Sequence, residues 1–229
     1  RDKETKEAPI VDLLPLSALQ DWTFAAGQFL DSGNVKKLVD LSNQALKPIL
    51  AKAKGTNPEA THLKRFVNIL SEVIDERLFC RGIGIVKSEK LKQLKAELSE
   101  TEKTIIEVLN PVFFKIKVSM ELFDSNENVM NGFTAAKWCL DNGLYQQAAT
   151  ILHENIVTFI CKEESIDWIN ANERSVVNIA FRVNDMPDES QWDLKLNPDA
   201  TEEEKTERKL KIKKILCKEK LKKLVGVFK

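Results

Sequence analysis

The sequence predicts an all-α protein, a helical bundle of roughly eight or nine helices. Three observations carry this. Apolar residues recur at helical spacing almost everywhere along the chain. Glycine and proline are scarce, eight and seven in 229 residues, while Lys, Glu, Leu and Ala are plentiful. The breaks, "DSGN", "GTNP", "DSNEN" and Asn142-Gly143, fall between apolar stripes. At 43% hydrophobic residues the chain can bury a core.

Each element has its own warrant. Residues 1–10 read as a charged linker, and the prolines of "PIVDLLPL" favour extended backbone. Ser17 is placed to cap a first helix whose buried face is Leu19, Trp22, Phe24, Ala26 and Leu30. A second helix follows over 35–54, with Leu38, Leu41, Ala45 and Leu46 on one face and Pro48 as a kink. The third, 59–80, carries the stripe Leu63, Phe66, Val67, Leu70, Val73 and Ile74. "RGIGIVKSEK" reads as a turn or irregular segment because of its two glycines. Helices over 88–109 and 111–123 come next, then a hairpin of 129–141 and 145–162 turning at Asn142-Gly143. A helix over 165–183, a long polar loop, and a last helix over 202–225 complete the chain. Thr201 with Glu204 forms a capping box for that last helix. Residues 11–229 are thus expected to be one helical domain.

Charge and cysteines narrow the function classes. Thirty-five basic and thirty-five acidic residues balance, so there is no global pull toward nucleic acid or anionic membrane. Cys80, Cys139, Cys161 and Cys217 lie far apart, no C-x-x-C pair exists, and His62 and His153 are the two histidines. That spacing does not suit zinc, and reduced, buried thiols fit a cytoplasmic protein. No apolar run reaches membrane-span length. No P-loop, G-x-G-x-x-G, G-x-S-x-G or H-E-x-x-H motif is present, and no cofactor is expected.

Local asymmetry remains. From Lys205 to Lys229 there are eleven Lys or Arg against two Glu, interleaved with Ile212, Ile215, Leu216, Leu221, Leu224, Val225 and Phe228. This reads either as the solvated face of an amphipathic helix or as an RNA phosphate track through Lys211, Lys213 and Lys214. The W-x-L-x-x-G-x-Y-x-x-A order at Trp138–Ala148 is that of helix-turn-helix repeats, but it occurs once, so a single hairpin in a larger bundle is expected. "NERSVVNIAFRVND" (172–185) sets Arg174, Asn178, Arg182 and Asn184 among buried-type residues Val176, Val177, Ile179, Ala180 and Val183. As plain structure, its arginines would snorkel or pair with Glu173 and Asp185.

Three stretches together resemble a known family. "PIVDLLPLSALQDWTFAAGQFLDSGN" is similar to the segment linking the ligand-sensing CARF domain to the helical HEPN domain in CRISPR-associated type III accessory proteins. "AAKWCLDNGLYQQAATILHENIVTFIC" looks like the family's central hairpin, and "NERSVVNIAFRVND" falls where the family has its HEPN motif. The resemblance implies a HEPN-like fold, a homodimer with the 165–183 helix near its axis, and a metal-independent ribonuclease site. In such a site an Arg stabilises the phosphate and a His a few residues later handles protons. It also implies control by cyclic oligoadenylate through an N-terminal CARF domain outside this chain. Arg174 and Asn178 sit at the family spacing, but Phe181 stands where the His belongs. The motif therefore reads as degenerate. Arg174, Asn178 and His153 are the expected catalytic remnants, and Arg182, Lys211, Lys213 and Lys214 the expected contacts to single-stranded RNA. The alternative expectation is a non-catalytic dimerisation or protein-interaction domain.

Overall fold

The computed structural model describes residues 14–54, 56–100 and 110–217. Among the described residues there are ten α-helices and no strand. They are α1 (Leu14–Ser32), α2 (Lys36–Lys52), α3 (Pro58–Leu78), α4 (Gly82–Lys87), α5 (Glu89–Glu100), α6 (Asn110–Glu121), α7 (Met130–Asp141), α8 (Tyr145–Glu163), α9 (Ala171–Val183) and α10 (Glu202–Leu216). A short 3-10 turn, Glu189–Gln191, interrupts the loop before α10. The linker expected over 1–10 and the helical stretches expected over 101–109 and 218–225 lie outside the described residues.

The chain divides into two compact units, Arg1–Ile151 and Leu152–Lys229. In the first, α3 is the hub, packing against α2, α4 and α5. Its expected stripe is fully realised: Leu63, Phe66, Val67, Leu70, Val73 and Ile74 are all buried. Asn57 caps it by accepting from the Ala60 N–H at 3.0 Å, and Pro58 follows where a missing N–H costs nothing. In the second unit α9 packs on α10; α9 buries Val176, Val177, Ile179, Ala180 and Val183, and α10 buries Ile212 and Ile215.

Several sequence expectations are corrected. Helix α1 begins at Leu14, with Pro15 tolerated in its first turn, so Ser17 lies inside the helix and not at its cap. Its buried residues are Ala25 and Phe29, while Leu19, Phe24 and Leu30 are exposed. Apolar residues surround much of this helix, so the period alone did not identify the inward face. Pro48 lies inside α2 as expected, and the helix continues past it to Lys52. "GIGIVK" is the extra helix α4, buried through Ile85 and Val86 and stopped by Ser88 at φ 61°. Helix α9 starts at Ala171, because Asn170 caps it after a loop in which Ser165 takes φ 55°. The thiols of Cys139 and Cys161 are buried, but Cys217 is exposed and Cys80 half-buried.

The second hairpin arm and the capping box are as read: α8 begins two residues past Gly143, which takes φ 72°, and Thr201 and Glu204 cap α10 reciprocally. No described helix is long and apolar enough to cross a membrane.

Candidate functional site

The expected site residues lie in the second unit, on α8, α9 and α10. Asn170 seats α9 by accepting from the backbone N–H groups of Asn172 and Glu173 at 2.9 and 3.4 Å. This cap fixes the helix start and turns Arg174, in its first turn, toward α8.

Arg174 is fully engaged. Its Nη1 donates to Thr158 Oγ1 at 2.7 Å and to the Trp168 carbonyl at 3.0 Å. Its Nη2 donates to Glu154 Oε2 at 2.6 Å and to the Glu154 carbonyl at 3.3 Å. Each terminal nitrogen of a guanidinium carries two N–H bonds, so both nitrogens are spent. Thr158 closes the network by donating its own hydroxyl to the Glu154 carbonyl at 3.0 Å. The Arg174 side chain is only 13% exposed. The expected pairing with Glu173 is therefore replaced by one with Glu154, one helix away. Glu173 instead faces Lys211 at 3.6 Å.

His153 is brought to the same carboxylate as Arg174. Its Nδ1 lies 3.7 Å from Glu154 Oε1, while Arg174 holds Oε2. At that distance the contact is longer than a hydrogen bond. Asn178 is exposed one turn further along α9, and Phe181 is half-buried, so neither joins the cluster. Beside the cluster the Cys161 thiol is pushed up to about 11 by burial, which leaves it protonated and inert at neutral pH.

The expected RNA contacts each have an acidic partner. Arg182 donates to the Asp193 carbonyl at 2.8 Å and lies 3.6 Å from its carboxylate, where Asp185 was expected. Lys211 sits 3.0 Å from Glu207, Lys213 2.6 Å from Glu189, and Lys214 3.1 Å from Glu164. The Glu164 side chain is only 3% exposed, so Lys214 neutralises a nearly buried carboxylate. Exposed pairs such as these hold weakly, but they cancel the field that would draw a phosphate backbone. Glu207 lies on α10 itself, but Glu164, Glu189 and Asp193 come from outside it, which is why counting charge along α10 alone missed them.

Arg208, absent from the sequence reading, does more than any of those lysines. It is 8% exposed and ties α10 to α9 by donating to the Asn172 carbonyl at 3.0 Å and to Ser175 Oγ. Glu154 and Thr158 were likewise missed as partners of Arg174. Their i, i+4 spacing on α8 is legible, but a contact 16 to 20 residues away leaves no local mark.

This geometry predicts a mainly structural role for Arg174. Arg174→Ala should lower the unfolding free energy by about 2 kcal/mol, since it removes four charge-assisted hydrogen bonds, one of them to a partly exposed carboxylate. Arg174→Lys should recover less than half of this, because an ammonium cannot fork onto Glu154 and Thr158 together. Urea unfolding of the three proteins tests it, and an unchanged midpoint for Arg174→Ala would refute the clamp.

Compared with family models, curated proteins and solved structures, the chain matches none.

Proposed function

We propose that this chain is a HEPN-like effector domain of a prokaryotic antiviral protein that binds RNA without cutting it efficiently. One observation carries the loss of cleavage. The Arg174 guanidinium has given all four of its terminal N–H bonds to Glu154, Thr158 and the Trp168 carbonyl. A fork occupied in this way has nothing left to close bidentately on a phosphate. Phe181, in the position of the motif histidine, cannot move a proton. In this reading α9 keeps the motif's shape as a packing helix. Control by cyclic oligoadenylate through a CARF domain outside this chain, and a homodimer with α9 near its axis, belong to the same proposal.

A second reading, a protein-interaction domain, draws on α6. There Phe114 and Val118, with Leu122 just past the helix end, fall at i, i+4 and i+8 and are exposed to 69%, 48% and 72%.

The test is cleavage of a labelled single-stranded RNA. Wild type should leave it intact over hours. The double variant Glu154→Ala/Phe181→His removes the carboxylate that holds Nη2 of the Arg174 fork and restores a proton carrier. It should cut at least about tenfold faster than either single variant, in keeping with the usual worth of a positioned acid-base group. Robust cleavage by wild type would overturn the proposal.

A further inference from the structure

We infer that the groove between α2 and α3 is the RNA-binding surface, a deepening that rests on the reading above. The groove encloses about 520 Å³ and is lined by Asn43, Leu46, Lys47 and Leu50 of α2 and by Lys64 and Asn68 of α3. No carboxylate lines it. Among the described residues Lys47 and Lys64 make no ion pair, unlike Lys211, Lys213 and Lys214 on α10. Exposed Lys52 and Lys54 extend the cationic run past the end of α2. Unpaired ammonium groups are the ones that release counterions when a phosphate backbone arrives.

A second, independent observation points to what lies beside the phosphate. The amide oxygen of Asn43 is buried and accepts no hydrogen bond. An amide in that state gains by turning into the groove to meet an N–H donor. Asn68 sets a second, exposed amide on the facing helix, and Leu46 and Leu50 supply apolar wall. Two cations, two amides and an apolar wall match a nucleotide: phosphates on Lys47 and Lys64, a base edge on the asparagines, and the base's flat face on the leucines. An anionic lipid headgroup would use the lysines but offers the asparagines no base edge. The exocyclic amino groups of adenine and cytosine suit Asn43 better than uracil, whose one base-edge N–H, at N3, lies between two carbonyl oxygens that repel the amide oxygen.

Fluorescence anisotropy with labelled ten-nucleotide strands of adenosine, cytidine and uridine tests this on the full chain. Adenosine and cytidine strands should bind more tightly than uridine. Lys47→Gln and Lys64→Gln should each weaken binding about tenfold, as expected for one charge-assisted contact. Each should also flatten the slope of log affinity against log salt by about 0.7, the value for one phosphate contact on a single strand. Asn43→Leu should erase the base preference and leave the salt slope intact. Lys211→Gln and Lys213→Gln should bind like wild type. All of the lysines are at least partly exposed, so folding is not at stake. RNA binding indifferent to Lys47 and Lys64 would sink this inference alone. No RNA binding at all, or binding to phosphatidylserine vesicles in its place, would sink the proposed function with it.

Discussion

Gly33→Ala should cost about 3 kcal/mol of stability, far more than Gly143→Ala or Gly27→Ala. Gly33 ends α1: its N–H returns to the Phe29 carbonyl at 2.9 Å, and it takes φ 69°. That left-handed backbone alone penalises a β-carbon by about 1 kcal/mol. The space adds the rest. A Cβ there would lie 2.7 Å from Cζ2 of Trp138 and closer still to Cη2. Trp138, on α7, cannot retreat freely, because the Arg77 guanidinium stands 4.8 Å from its ring centroid. Forcing atoms into so filled a site costs a further 1–3 kcal/mol, roughly. Two controls separate the terms. Gly143 also has positive φ, at 72°, but open space around it, so Gly143→Ala should cost only about 1 kcal/mol. Gly27 lies within α1 with nothing inside 4 Å, so Gly27→Ala should stabilise by about 0.5–1 kcal/mol. Urea unfolding of the three variants gives the comparison. If Gly33→Ala costs no more than Gly143→Ala, the Trp138 ring is not the wall described.

What the sequence disclosed, and what it hid, follows the range of the interactions. Local signals were legible. The Thr201–Glu204 capping box, the Asn142-Gly143 turn and the α3 stripe each depend on residues within a few positions of one another. Burial of Val176, Val177, Ile179, Ala180 and Val183 on α9 was legible for the same reason. Helix α4 was missed because its two glycines suggest a turn. Gly84 instead lets the Glu76 carboxylate of α3 lie against the backbone, a contact across elements. The inward face of α1 was misread because Leu16, Leu19, Phe24 and Leu30 are as apolar as the buried Phe29. Pairing was the least legible property. Arg174 finds Glu154 and Arg182 finds Asp193, in preference to the acids beside them in sequence. The same blindness made α10 look like an open cationic track and left Lys47 and Lys64 unnoticed, since only folding tells which lysines keep a free charge.

Arg77 carries the other large expectation, and its sign depends on what replaces it. It sits in the last turn of α3 and is completely enclosed, with its guanidinium 4.4 Å from the Phe123 ring centroid and 4.8 Å from that of Trp138. Nη2 points at Met120 Sδ from 3.8 Å, and Nη1 is buried with no hydrogen-bond partner among the described residues. Among the described residues no carboxylate forms an ion pair with it, though the Glu76 charge offsets a little of the burial. Burial pushes the guanidinium down to about 10, which leaves it charged at neutral pH but dearly desolvated. The ring faces of Phe123 and Trp138 offset part of that cost. A cation whose folded value lies below its unfolded one weakens the fold at every pH beneath the folded value. Stability should therefore rise as pH climbs above about 10, where the unfolded chain still holds the proton. Arg77→Met removes the buried charge, keeps most of the volume and sets a sulfur against two aromatic rings. It should stay within about 1 kcal/mol of wild type or exceed it. Its stability should no longer rise above pH 10 on this group's account. Arg77→Ala empties the space between Phe123, Trp138 and Met120 and should cost about 3 kcal/mol. Chemical unfolding at neutral pH and again above pH 10 distinguishes the outcomes. A methionine variant as unstable as the alanine variant would mean that the aromatic pair outweighs desolvation and that the charge itself holds α3 to α7.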